Sequence, residues 1–475
     1  MKISFKNCKV YSSFIPLKIH NSIIIDNGKV KSFEDDPDAI DLNGKFIIPA
    51  FIDSHLHLDE IGLFLNTLDL RGIRSIDELR EKLKIFAKNN NGPIIGHGWD
   101  QELFKERRWP NKYDIDDIVN DRPVILTRIC LHAALVNSYF LDMMKTDGNG
   151  IVFENEFEIF RKRFIEMIPF ELKMKYMENA IDFVAMNGIS AVGFVSCNLE
   201  SLKIIEKIQE KRKLPIDISI YLNAEDFLKY DFKNINVKGV KLFIDGSLGA
   251  RTALLSEKYS DSNTYGEQVT DENFLNMIVE RANEMKKDVA IHAIGDKALD
   301  IALNVLKNAK YGKRIEHASV VRDDQLEKLR GINIVVQPHF IISDFWVVDR
   351  LGVNRAKYVY RFKDLLNFTN LSFSTDSPVE PLNPFLTLSA AIERGGNKNL
   401  KIYEYTKDQT LKPEEAYYCY TEGSAKVLGL KYGSLSPGME ANFLVLDKDP
   451  LTTNPEKIKI LGIYLKGKWI LNPNL

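Results

Sequence analysis

From about residue 46 to residue 376, short apolar runs alternate with stretches of helical periodicity, the pattern of successive parallel βαβ units. Eight runs read as strands: Phe46 to Leu58, Gly188 to Cys197, Ile216 to Asn223, Gly239 to Asp245, Asp288 to His292, Lys313 to Ala318, Ile332 to Pro338 and Leu371 to Asp376. Eight units predict an α/β chain closed into a (β/α)8, TIM-like barrel, with an open doubly wound sheet as the alternative. About 130 residues separate the first run from the second, far more than one βα unit needs. That interval holds strand-like pieces of its own, PIIGHGWD and RPVILTRIC, and helical stretches, so an α+β insertion subdomain is expected at about 62–160.

The two ends differ from the middle. KISFKNCKVY, SIIIDN and KVKSF are β-type runs broken by Asn-Gly and Asp-Pro, and GSLSPGMEANFLVLDKD and ILGIYLKGKWIL alternate and turn at Gly and Pro in the same way. Residues 1–46 and 430–475 are therefore expected to pair into a composite β-sandwich beside the barrel spanning 47–429. A length of 475 residues agrees with one large domain carrying an accessory module.

Composition narrows the partners. With 64 basic against 66 acidic residues, the net charge of -2 exerts no sequence-independent pull on nucleic acid or an anionic membrane. A small-molecule substrate is the expected partner. No apolar run approaches the roughly 20 residues of a spanning helix, and MKISFKNCKV lacks a signal-peptide core, so cytoplasm is the expected compartment. Cys8, Cys130, Cys197 and Cys419 have no C-x-x-C spacing and read as reduced packing residues.

The sharpest local feature is His55-Leu56-His57 at the end of FIIPAFIDSHLHLDE. Alternate strand residues share a face, so both imidazoles can project from the C-terminal end of the strand, where barrel enzymes build their sites. Alone, an H-x-H pair is weak evidence for a metal. The other strand ends add Lys241 in VKLFIDG, His292 in VAIHAIGD, His317 in RIEHAS and Asp376 in LSFSTDSP. Lys and Asp are rarely buried unpaired, so this set on one rim is hard to explain as packing.

The order H-x-H, Lys, His, His, Asp on strands one, four, five, six and eight resembles the amidohydrolase superfamily. GWDQ, VKLFIDGSLGARTA, HAIGDKALD, RIEHA, VQPHF and TDSPVEPLNPF resemble its amidohydrolase 3, YtcJ-like branch, which includes N-substituted formamide deformylases. The likeness covers essentially the whole chain. Two departures, Ala50 for a usual Gly and Asn442 for a usual Asp, fall outside the ligand positions.

The resemblance implies two divalent metal ions, with Zn2+ favoured. His55, His57 and Asp376 would hold the first and His292 and His317 the second. It also implies a CO2-derived carbamate on Lys241 bridging them, since an ammonium is donor-only and cannot ligate. Spacing alone equally allows Lys241 to be an ordinary cation paired with Asp376 or Asp245. The implied activity is hydrolysis of a non-peptide carbon–nitrogen bond, such as an N-acyl or N-formyl amine, by metal-activated hydroxide, with Asp376 as the catalytic proton carrier. The alternatives are cleavage of an ester, lactone or carbamate on the same metals, or a non-catalytic barrel serving as an interaction protein. Substrate-wall candidates are His97 and Trp99 in GHGWDQ, His132 in LHAALVNS, Arg251 in SLGARTA and His339 in VQPHF. For the histidines a packing role is equally open, and Arg251 can instead neutralise Asp245 or Glu257. The resemblance allows a homo-oligomer, for which no interface signature is visible.

Overall fold

The computed structural model describes residues 2–129, 133–231 and 237–473. The chain forms two compact units, one of residues 1–58 and 181–475 and one of residues 59–180.

The larger unit is built on eight parallel strands paired in sequence order: β1 (Phe51–Leu56), β2 (Ile189–Cys197), β3 (Asp217–Asn223), β4 (Val237–Phe243), β5 (Asp288–Ala293), β6 (Lys313–His317), β7 (Asn333–Val336) and β8 (Asn370–Phe373). A parallel strand covered on both faces must be apolar on both, and β1 and β2 are buried along almost their whole lengths. Amphipathic helices cover the outside. Glu272–Glu284 starts at an Asp271 cap and turns Leu275, Ile278, Val279 and Ala282 inward, and Asp296–Lys307 buries Ala298, Leu299, Ala302 and Leu306.

The sheet is nearly closed, because the ends of β1 and β8 are stapled to each other. Asp376 N–H donates to His55 O at 2.8 Å, and the Ser54 and Ser372 hydroxyls meet at 2.5 Å. Asp53, fully buried, accepts from the Thr375 hydroxyl (2.8 Å), the Tyr420 hydroxyl (2.9 Å) and the backbone N–H of His55 (3.2 Å). Burial pushes its carboxyl up to about 6 despite these donors.

Both chain ends meet, and they do so in one continuous hydrogen-bonded set of eight strands. Its order is Lys468–Leu471, Ile460–Leu465, Phe443–Leu446, Ile40–Pro49, Lys2–Phe14, Ile23–Asp26 and Lys29–Ser32, with Leu17–His20 paired to Lys2–Phe14. Lys2–Phe14 and Ile40–Pro49 run parallel, so the unit is mixed rather than a set of hairpins. Phe5, Phe443, Tyr464 and Trp469 pack together in its core.

The expected first strand, Phe46 to Leu58, is in fact two. Ala50 N–H bonds to Asn442 O at 2.9 Å in the terminal sheet, and the next amide, Phe51 N–H, bonds to Gly188 O at 3.0 Å at the barrel. Consecutive residues thus belong to different sheets, with apolar side chains on both sides of the break.

The smaller unit has a five-stranded mixed sheet in the order Ile151–Phe153, Ala133–Val136, Val124–Arg128, Ile94–Trp99 and Leu68–Asp69. Leu79, Leu83, Ile94, Trp99 and Leu126 share one cluster, and Phe140, Phe157, Phe160, Phe164 and Tyr176 another. The second cluster draws on helix Glu154–Met167 and beyond, which is why the unit extends past residue 160. Cys8, Cys197 and Cys419 are buried and form no disulfide with a described residue, and Cys130 lies outside the described residues.

Gly193 on β2 lies so close to β1 that an added Cβ would meet Ser54 O at 1.9 Å. Gly193→Ala should therefore force the two strands apart and lower stability by about 1–3 kcal/mol, the usual cost of overpacking, read as a shifted denaturant midpoint with unchanged slope.

Candidate metal centre

His55 is the penultimate residue of β1 and His57 follows the strand, so the period-2 geometry of a strand carries both rings to the same end of the barrel. Asp376 lies three residues beyond β8, and its carboxylate Oδ1 is 3.1 Å from Nε2 of His55 and 3.1 Å from Nε2 of His57. Lys241 stands on β4, His292 on β5 and His317 on β6. The His317 ring lies 5.2 Å from that of His55 and 4.4 Å from that of His292, centroid to centroid. His55, His317 and Asp376 offer ligand atoms all within 4.8 Å of one another. The six ligand candidates all belong to the larger unit, and all but the partly buried His57 and His292 are shielded from solvent.

Each of three imidazoles has one nitrogen tied outward, which fixes the ring and leaves the other nitrogen available. His55 Nδ1 meets Glu316 Oε2 at 2.5 Å. Glu316 is gripped by the guanidinium of Arg314, which also donates to Ser54 O at 2.6 Å. His317 Nδ1 meets Gln337 Oε1 at 2.7 Å, and Gln337 donates to the Ser374 hydroxyl at 2.9 Å. His292 Nε2 donates to Gly246 O at 3.0 Å and lies 3.4 Å from Asp245, whose carboxylate also accepts from the N–H groups of Leu254, Ile294 and Gly295. These ties leave Nε2 of His55, Nε2 of His317 and Nδ1 of His292 as candidate donors to a metal.

The electrostatics suit a cation. Burial drives the His317 imidazole down to about 3, and burial with the nearby His317 and Lys241 drives His292 well below its ordinary value, so both rings are neutral, as ligands must be. Burial would lower His55 as well, but the carboxylates of Asp376 and Glu316 outweigh it and raise that ring. Desolvation alone would raise the Asp376 carboxyl, yet His55 and the hydrogen bond from His57 hold it well below the usual range. Lys241, 1% exposed, is lowered to about 8 chiefly by burial, against the pull of Glu316 and Asp376. Its Nζ stands 4.2 Å from the centre of the Phe243 ring.

Ligand atoms around one zinc, each bonded at ~2.0–2.1 Å in tetrahedral geometry, stand roughly 3.3 Å apart. The 3.1 Å separations between Asp376 Oδ1 and the two Nε2 atoms fit that spacing. His317 (φ 74°) and Asp376 (φ 56°) both hold left-handed backbone, a conformation costing about 1–3 kcal/mol for a residue with a side chain and concentrated at functional sites.

The remaining candidates have diverse placements. Trp99 is not a wall residue: it is wholly buried in the smaller unit, where its indole N–H donates to Leu126 O at 2.6 Å and its ring meets Trp109 edge-on. His97 lies on the same strand, 4.9 Å from the Phe64 ring, and neither of its ring nitrogens has a hydrogen-bond partner among the described residues. His132 lies outside the described residues. Arg251 pairs with neither Asp245 nor Glu257 but with both oxygens of Asp261, at 3.0 and 2.8 Å. His339 follows β7 and bonds through Nδ1 to Glu380. Sequence reasoning missed Glu316, Arg314, Gln337, Asp53 and Asp245. The available signal was a charged or amide residue inside an otherwise apolar strand or beside a ligand, as in RIEHA.

Comparison with known proteins agrees with this geometry. The model of the amidohydrolase family, Amidohydro_3, matches residues 38–469. YtcJ of Bacillus subtilis (strain 168) is 31% identical over 479 residues, covering 92% of this chain and 90% of that protein. The crystal structure of a metal-dependent hydrolase from Pyrococcus horikoshii OT3 is 41% identical, with a TM-score of 0.88 over 97% of this chain and 100% of the other. The N-substituted formamide deformylase of Arthrobacter pascens is 21% identical over 507 residues, 91% of this chain and 89% of that one. A barrel rim of histidines converging on one aspartate and a family match along almost the whole length lead to one conclusion: the chain belongs to the metal-dependent amidohydrolase family, in its amidohydrolase 3, YtcJ-like branch.

Proposed function

We propose that this protein hydrolyses the carbon–nitrogen bond of a small non-peptide amide, an N-acyl or N-formyl amine, with two zinc ions held by His55, His57, His292, His317, Asp376 and a carbamate on Lys241. The observation that carries the reading is the convergence of two imidazole Nε2 atoms on one Asp376 oxygen at 3.1 Å each. The sequence likeness to a formamide deformylase supports the bond type. A bound divalent ion supplies carbonyl polarisation and a water whose pKa falls from about 15.7 to about 7.

The chain's own groups do the rest. Asp376, kept ionised by its imidazole neighbours, accepts the proton of the attacking water and returns it to the departing nitrogen. Glu316 and Gln337 hold the rings of His55 and His317 in place. Lys241 is buried among the ligand candidates, where an ammonium offers no lone pair; adding CO2 to the neutral amine with loss of a proton gives an anionic oxygen ligand. Substrate contact is assigned to His339, which follows β7 in the larger unit.

The direct test combines metal analysis of purified protein with a panel of N-formyl and N-acyl amines, esters and lactones. About two zinc ions per chain and cleavage of the amides are expected; a protein that binds no transition metal after reconstitution would sink the proposal. Asp376→Asn keeps an oxygen but cannot take a proton, so turnover should fall by roughly 10²- to 10⁴-fold while metal content persists.

Glu316→Gln preserves volume but removes the charge facing His55. Metal affinity should drop by roughly 10- to 100-fold in a chelator competition, as for other groups that orient a ligand. Wild-type affinity in that variant would make Glu316 a packing residue only.

Lys241→Ala should lose metal and activity together, and short carboxylic acids should restore part of both. No rescue by any such acid, or density ending at a bare amine in a metallated crystal, would remove the carbamate from the scheme.

A further inference from the structure

Each ligand-candidate histidine with a resolved anchor divides its two nitrogens in one way, one tied to the protein and one left for the reaction. A further histidine on the same rim follows the same rule without being a ligand candidate. His339 begins the short helix Phe340–Ser343 after β7, and Glu380 lies in the segment after β8, four residues past Asp376. His339 Nδ1 and the Ser343 hydroxyl bond to the two oxygens of the Glu380 carboxylate. A carboxylate accepts, so both neighbours donate to Glu380 and the hydrogen that His339 gives sits on Nδ1, which selects the tautomer with none on Nε2. Nε2 is then a bare acceptor with no hydrogen bond to a described residue, on a side chain that keeps 14% of its surface exposed. Glu380 is nearly enclosed at 6%. The neighbouring Phe340 ring lies 6.2 Å from the His317 ring, which ties this pair to the metal-ligand end of the barrel.

We propose that His339 is a substrate-contacting residue whose Nε2 accepts the N–H of a secondary amide, and that Glu380, with Ser343, is the positioning residue that fixes this tautomer. The inference rests on the amide reading above and narrows it to substrates bearing a hydrogen on the scissile nitrogen. A tertiary amide presents carbon where the acceptor needs a donor, so it forgoes the hydrogen bond that a secondary amide makes.

The test compares N-benzylformamide with N-benzyl-N-methylformamide on the zinc-loaded wild type, His339→Ala and Glu380→Gln. The wild type should prefer the secondary amide by at least roughly tenfold in kcat/KM, the worth of one good hydrogen bond. That preference should collapse in His339→Ala, mainly through a raised KM with kcat retained, as for an interaction made equally in ground and transition states. Glu380→Gln should weaken it partway. A preference that survives in His339→Ala overturns the inference alone, whereas a wild type inert across all N-formyl and N-acyl amines overturns the amide reading and this inference with it. An independent readout covers a variant that fails to fold: in 15N spectra of histidine-labelled wild type, neutral His339 should carry hydrogen on Nδ1 and none on Nε2. A proton on Nε2 overturns the proposal whatever the kinetics.

Discussion

The structure depends on how it disposes of charge inside a barrel that excludes water. Glu316 is fully buried on β6, and Arg314, two residues earlier on the same strand and face, neutralises it. Breaking such a buried pair by removing one partner costs about 3–5 kcal/mol, because it leaves the other charge buried and uncompensated. The pair is more than internal neutralisation. Glu316 spends its remaining acceptor capacity on His55, and Arg314 reaches across to Ser54 O on β1. One ion pair thus joins β6 to β1 and aims the first ring of the ligand set.

Closure of the barrel and construction of the site are the same event. The strand ends that must meet, β1 and β8, are those that carry His55, His57 and Asp376. The bond from Asp376 N–H to His55 O and the Asp53 carboxylate beneath it hold them together. Asp53 does so at a cost, since burial raises its carboxyl to about 6. Left-handed backbone at His317 and Asp376 is a second local cost, tolerated because the surrounding hydrogen bonds over-determine both positions. Stability spent at the strand ends is regained in apolar strands and helices that take no part in the chemistry.

The outward ties explain why the rings can be trusted to face one another. Glu316, Gln337 and Gly246 O are a carboxylate, an amide and a backbone carbonyl, yet each takes one ring nitrogen and leaves the other to the ligand set. His339 with Glu380 extends that arrangement to the next two barrel ends.

How much of this was legible beforehand follows from the range of each interaction. The sequence by itself determined the order of the barrel strands and the six ligand candidates, because strand periodicity and strand-end chemistry are local. It also revealed that both chain ends are β-rich, though not that they form one mixed sheet, since pairing partners are set by contacts hundreds of residues apart. The run from Phe46 to Leu58 looked like one strand because both halves are apolar; only Ala50 and Phe51 bonding to different sheets divides it. Trp99 resembled a wall residue until the fold drew its indole to Leu126 O, and Arg251 found Asp261 rather than the acids suggested by proximity in sequence. Glu316 stood in plain view beside His317, but only the three-dimensional neighbourhood of β1 and β6 decided that its carboxylate orients His55, because a charge buried in an apolar strand acquires meaning from the partner the tertiary fold brings to it.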